Sequence, residues 1–187
     1  MEAFSDGVIA ILITIMVLEL HAPDQVDWQA LRPIVPVFLA YVLSFVFLGI
    51  YWANHHHMLQ LAERVNGGIL WANLHLLFWL SLIPFVTAWM GEHHQASIPT
   101  ALYGIVLFCS GVAYTILQRA LIREQGAQSR LAAAIGRDAK GSTSVATYVL
   151  AVAIAFYRPA FSQLLYLAVL LMWLVPDRRI EKEIRSG

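Results

Sequence analysis

Ser5 and Asp6 stand at the head of an apolar run that reaches Glu19 and Leu20, where an ionisable group needs a partner. Candidate partners occur further on: Trp52, Asn54, His55, His56 and His57 in one stretch, then Asn73 and His75. Trp52, His55 and His56 are spaced i, i+3 and i+4, so on a helix they share a face. Two chemistries suit this set. One is a polar network that fixes the helix carrying Ser5 and Asp6, although Ser5 as an N-cap with Asp6 in the first turn would be a simpler reading. The other is a metal box built from imidazoles, as in a histidine-rich, membrane-embedded oxidase. The metal reading is the weaker one. His93 and His94 fall in a loop at the opposite membrane face, and no carboxylate stands at ligand spacing beside the triple histidine. No resident metal or cofactor is therefore expected. Neither GxSxG nor HExxH occurs, so nothing points to a hydrolase, and the chain reads as no enzyme.

The elements that carry these residues belong to a membrane protein. Of 187 residues, 59% are hydrophobic and 13% charged, too apolar a balance for a water-soluble globule. The net charge is zero and gives no argument for nucleic acid. Cys109 is the single cysteine, which excludes an internal disulfide and a cysteine zinc cluster. Spans are predicted at 4–20, 34–58, 69–90, 99–122, 143–157 and 159–175. Pro33 and Pro36 suit the start of the second, Gly67 and Gly68 precede the third, and Pro99 opens the fourth. Pro84 is the one mid-span proline, a kink without the matching second break that an inverted-repeat transporter shows. Segment 123–142 reads as an amphipathic connector. With the N-terminus inside, Arg64, Arg119, Arg123, Arg130, Arg137, Lys140, Arg178, Arg179, Lys182 and Arg185 are all inner, ten of the twelve Lys and Arg; Arg32 and Arg158 are outer. That bias predicts an all-α integral membrane protein of six transmembrane helices, with cytoplasmic N- and C-termini and one domain over 1–187.

On a helix turning about 100° per residue, Phe4, Gly7, Ile11, Ile15 and Leu18 form one stripe, with Thr14 at its edge. Asp6 falls opposite, beside Ile9 and Ile13. Such a stripe is ordinarily helix packing; here one face can line something while the other holds the helix to its own subunit. No TVGYG-type carbonyl filter and no arginine ladder of a voltage sensor is present.

Ala3-Phe4-Ser5-Asp6-Gly7, followed by an apolar run ending Val17-Leu18-Glu19-Leu20, resembles the signature of the transmembrane protein 175 family of potassium channels. The likeness is specific in the first helix and loose over the six-helix layout. It implies a prokaryotic, single-repeat member, hence a bacterial protein of the cell (plasma) membrane. It also implies a homotetramer whose pore is lined by the first helix, with Ile11, Thr14, Ile15 and Leu18 facing the axis and Ile11 narrowest. The Phe4-Ser5-Asp6-Gly7 motif would be held by Trp52, Asn54, His55 and His56. The family has an arginine shortly before the motif; this sequence reads Met1-Glu2-Ala3 there, so that either the chain is shortened at its start or the network is weaker in this protein. The expected function is passive, selective K⁺ conduction through rings of aliphatic side chains, with potassium ions, lipid and copies of itself as partners. A secondary transporter is the alternative, separable by flux that saturates at modest turnover.

Overall fold

A computed structural model describes residues 1–126, 128–135 and 138–174. Among them no strand forms, and the helices are α1 (Glu2–Ile15), α2 (Val35–Gln60), α3 (Gly67–Ser81), α4 (Ile83–Glu92), α5 (Ser97–Gln125), α6 (Arg130–Ile135), α7 (Ala139–Ala155) and α8 (Pro159–Leu174). A 3₁₀ segment, Met16–Glu19, extends α1, and another, Trp28–Ile34, leads into α2. Trp28–Gln60, Gly67–Glu92 and Ser97–Gln125 are each long and apolar enough to cross a membrane; α7 and α8 are shorter apolar helices. The surface accordingly carries large apolar side chains such as Phe38, Leu39, Trp71, Phe78 and Phe85.

Helix ends follow the local chemistry. Pro36 occupies the first turn of α2, and Pro33 lies inside the preceding 3₁₀ segment, which Asp27 caps by accepting from Ala30 N at 2.8 Å. Asn66 caps α3 by accepting from Ile69 N at 3.0 Å. The predicted third span is two helices: Pro84 has no N–H for Leu80 and its ring crowds that carbonyl, so the helix ends at Ser81 and restarts at Ile83. Gly126 ends α5 at φ +92°, a conformation that L side chains rarely adopt. The expected connector resolves into the end of α5, the single-turn-scale α6 and the start of α7. Arg137, the last residue of the predicted span 159–175 and the basic residues Arg178, Arg179, Lys182 and Arg185 lie outside the described residues.

Between apolar helices surrounded by lipid, expulsion of water supplies little; close packing and interhelical hydrogen bonds do the joining. Ser44 of α2 lies 2.9 Å from the Tyr103 hydroxyl of α5 and 2.6 Å from Thr87 Oγ1 of α4, all buried. Tyr166 of α8 donates to Thr100 O of α5 at 2.9 Å. Trp173 Nε1 donates to Ser144 Oγ of α7 at 2.8 Å. The two ends of the bundle are also closed. At one, Asn66 donates to Glu124 Oε2 (2.6 Å) and Gln125 donates to Arg64 O (2.8 Å), which sets Arg64 and Arg123 at the same end. At the other, Gln163 donates to His94 O at 2.7 Å, near Arg158.

α4 approaches α2 closely at Gly91, where an added Cβ would lie 2.8 Å from Val37 Cα. Backbone cannot step aside as a side chain can. Gly91→Ala is expected to destabilise the protein by about 1–3 kcal/mol, read as a lowered thermal midpoint in detergent, whereas Gly67→Ala, with open space around its Cβ position, leaves it nearly unchanged.

Candidate functional site

α1 leans on α2, α3 and α4. Its buried side chains, Ser5, Ile9, Leu12 and Met16, recur at helical spacing and pack into the common core with residues such as Phe47, Leu76 and Val86. The opposite face is uncovered: Phe4 is 58% exposed, Ile11 60%, Ile15 38% and Leu18 72%. Gly7 and Thr14 are exposed beside them. Thr14 Oγ1 donates to Ile11 O at 2.9 Å, so its proton is committed to the backbone and its lone pairs are left to face outward.

The foot of the inner face is held by polar side chains. Asn73 Nδ2 of α3 donates to Ser5 Oγ at 2.9 Å, and Ser5 Oγ donates to Met1 O at 3.2 Å. His55 Nε2 of α2 lies 2.7 Å from Asn73 Oδ1. With Asn73 accepting there, His55 carries its proton on Nε2, and a single directed chain runs His55 to Asn73 to Ser5. Ser5, His55 and Asn73 are all buried. A second, half-exposed contact lies beside it. Trp52 Nε1 donates to Asp6 Oδ1 at 3.0 Å and the Trp52 ring stacks on His56, centroids 5.8 Å apart. Glu2 Oε1 and Asp6 Oδ2 stand 2.9 Å and 4.0 Å from His56 Nδ1. The shorter approach forms no aligned hydrogen bond and is an electrostatic contact.

Several sequence expectations change here. Ser5 is no N-cap: α1 begins at Glu2, Ser5 N already donates to Met1 O, and the side chain works one turn inside the helix. Trp52, His55 and His56 share a stretch but divide their work, His55 turning to α3 while Trp52 and His56 meet α1. Asn54 does not join them; its amide donates to Ile50 O at 2.8 Å and the side chain borders a cavity of about 40 Å³ with Tyr51, Tyr114 and Tyr148. Phe4 and Gly7 lie on the uncovered face, away from the network. His75 bonds Trp79 Nε1 within α3 (3.0 Å). Glu2 was not singled out, though its i, i+4 spacing to Asp6 puts two carboxylates on one face.

These features define an all-helical membrane protein whose first helix is held by its inner face and leaves an aliphatic face bare. A model of the endosomal/lysosomal potassium channel TMEM175 matches residues 1–84. A potassium channel of Chryseobacterium sp. is 54% identical over 187 residues, covering 100% of this chain and 97% of its own. One of Streptomyces collinus is 34% identical over 124 residues, 62% of this chain and 60% of its own. The crystal structure of a lysosomal potassium-selective channel TMEM175 homolog from Chamaesiphon minutus shares the fold, with a TM-score of 0.77 and 24% identity over 93% of this chain and 94% of that one. The chain belongs to the TMEM175 family. That is a family of ion channels, in agreement with the reading that the chain is no enzyme.

Ser5→Ala leaves the buried Asn73 amide without its acceptor and is expected to cost about 0.5–2 kcal/mol. Trp52→Phe removes a bond at a half-exposed site and should cost less. Thermal unfolding in detergent checks the ranking, and equal or reversed effects would remove the buried chain as the anchor of α1.

Proposed function

We propose that this protein is a passive, potassium-selective channel in which copies of α1 enclose the ion path. The observation that carries the reading is the division of α1 into a buried polar and apolar face and a bare face made of Phe4, Gly7, Ile11, Thr14, Ile15 and Leu18. One such helix cannot enclose a path, so the pore requires several chains; four around an axis give stacked rings of Ile11, Ile15 and Leu18. The relatives named as potassium channels support the choice of ion. Each chain crosses the cell membrane six times with both termini cytoplasmic, α1 and its 3₁₀ extension forming the first crossing and the basic end of the bundle facing inward.

Selectivity in this reading comes from side chains. An aliphatic ring at Ile11 closes by dewetting and passes more readily the ion that loses water at lower cost, K⁺ before Na⁺. Thr14, next along the helix, offers a hydroxyl oxygen whose proton is already donated to Ile11 O, which suits it to face a cation. No cofactor takes part. Glu19, exposed at the end of the 3₁₀ extension, lies where it draws cations toward the outer mouth.

Ile11→Asn is expected to wet the constriction and lower the K⁺/Na⁺ permeability ratio in reconstituted vesicles; unchanged currents and selectivity remove Ile11 from the path. Asp6→Ala, by contrast, should reduce assembled protein more than the conductance of the channels that remain. Native mass spectrometry reads the copy number, and a monomer that conducts would overturn the shared-pore reading.

A further inference from the structure

Glu2 and Asp6 lie one turn apart on α1, and both of their ion-pair contacts among the described residues are to one imidazole, His56 of α2. Glu2 Oε1, Asp6 Oδ2 and His56 Nδ1 come within 4.8 Å of one another. His56 Nδ1 is shielded from solvent and has no aligned hydrogen-bond partner. We propose that these three side chains hold a divalent transition-metal ion that clasps the start of α1 to α2.

The donor set and its surroundings suit such an ion. Around a tetrahedral Zn²⁺ with ligand bonds of about 2.1 Å, ligand atoms stand roughly 3.4 Å apart. The 2.9 Å and 4.0 Å separations from Nδ1 lie on either side of that value, so small side-chain movements complete one face of the tetrahedron and leave the fourth position to water. One imidazole with two carboxylates favours Mn²⁺ through Zn²⁺ over Mg²⁺ or Ca²⁺, which take oxygen ligands. The supporting contacts are those of a ligand shell. Trp52 Nε1–H donates to Asp6 Oδ1 and leaves Oδ2 for the ion. Gln60 Nε2 lies 2.8 Å from His56 Nε2, and a half-turn of the amide exchanges its nitrogen for its oxygen there; the oxygen then accepts the Nε2 proton, which frees the Nδ1 lone pair toward the carboxylates. A divalent ion also relieves the repulsion of two carboxylates set one turn apart.

The site is independent of which ion the pore passes, so it is tested by binding rather than by current. The full chain, purified in detergent and stripped with chelator, is titrated calorimetrically with ZnCl₂ and, separately, MgCl₂. One saturable Zn²⁺ site per chain, a thermal midpoint raised by Zn²⁺ and no effect of Mg²⁺ at the same concentrations are expected. Glu2→Gln and His56→Gln should each weaken Zn²⁺ binding at least about tenfold. Glu2→Gln, a change at a partly exposed contact, lowers the metal-free thermal midpoint less than His56→Gln does and carries the test if His56→Gln loses stability. Absence of saturable binding, affinity unchanged in Glu2→Gln, or binding lost only on replacing His93 and His94 would overturn the proposal.

Discussion

The rotation of α1 about its own axis depends on the buried chain from His55 through Asn73 to Ser5. In lipid, an apolar helix face packs about as well against acyl chains as against Leu or Ile, so hydrophobicity alone leaves α1 free to turn. Hydrogen bonds between buried polar groups have no such substitute, because an unpaired amide or imidazole inside the bundle has no water to turn to. Ser5 must face α3, and every other residue of α1 is then assigned a direction. Ile9, Leu12 and Met16 go to the core while Ile11, Ile15 and Leu18 point away from it.

The remainder of the bundle gives that anchor something rigid to hold. Ser44, Thr87 and Tyr103 join α2, α4 and α5, and the turn at 61–66 is fastened to the end of α5. The break at Pro84 separates α3 from α4. α3 then supplies Asn73 to α1, while α4 brings Gly91 against α2. The polar residues within the apolar helices are thus mostly joints, set where one helix must recognise another.

Much of the architecture was legible in the chain itself. Apolar runs of the right length marked the helical segments, and Pro36, Gly67, Pro84 and Pro99 sit at or near starts and breaks because their backbone chemistry is local. The Phe4–Leu18 stripe and the opposite placement of Asp6 follow from helical periodicity, which needs no knowledge of the neighbours. Family membership was legible for a similar reason: the first-helix motif is contiguous.

Pairings between distant segments were another matter. Periodicity put Trp52, His55 and His56 on one face, but α1 and α3 both border that face and a broad stripe does not say which neighbour each ring meets. Residue type and the family resemblance gave Asn54 the same standing as Trp52, yet its amide turned back to its own helix at Ile50. Glu2 carried no signal beyond an i, i+4 relation to Asp6, and only the approach of α2 gives that relation a histidine to act on. Local backbone geometry is written in neighbouring residues and can be read one turn at a time. Which polar groups meet across helices depends on the azimuth and tilt of whole helices, and those are decided by the packing of all of them together.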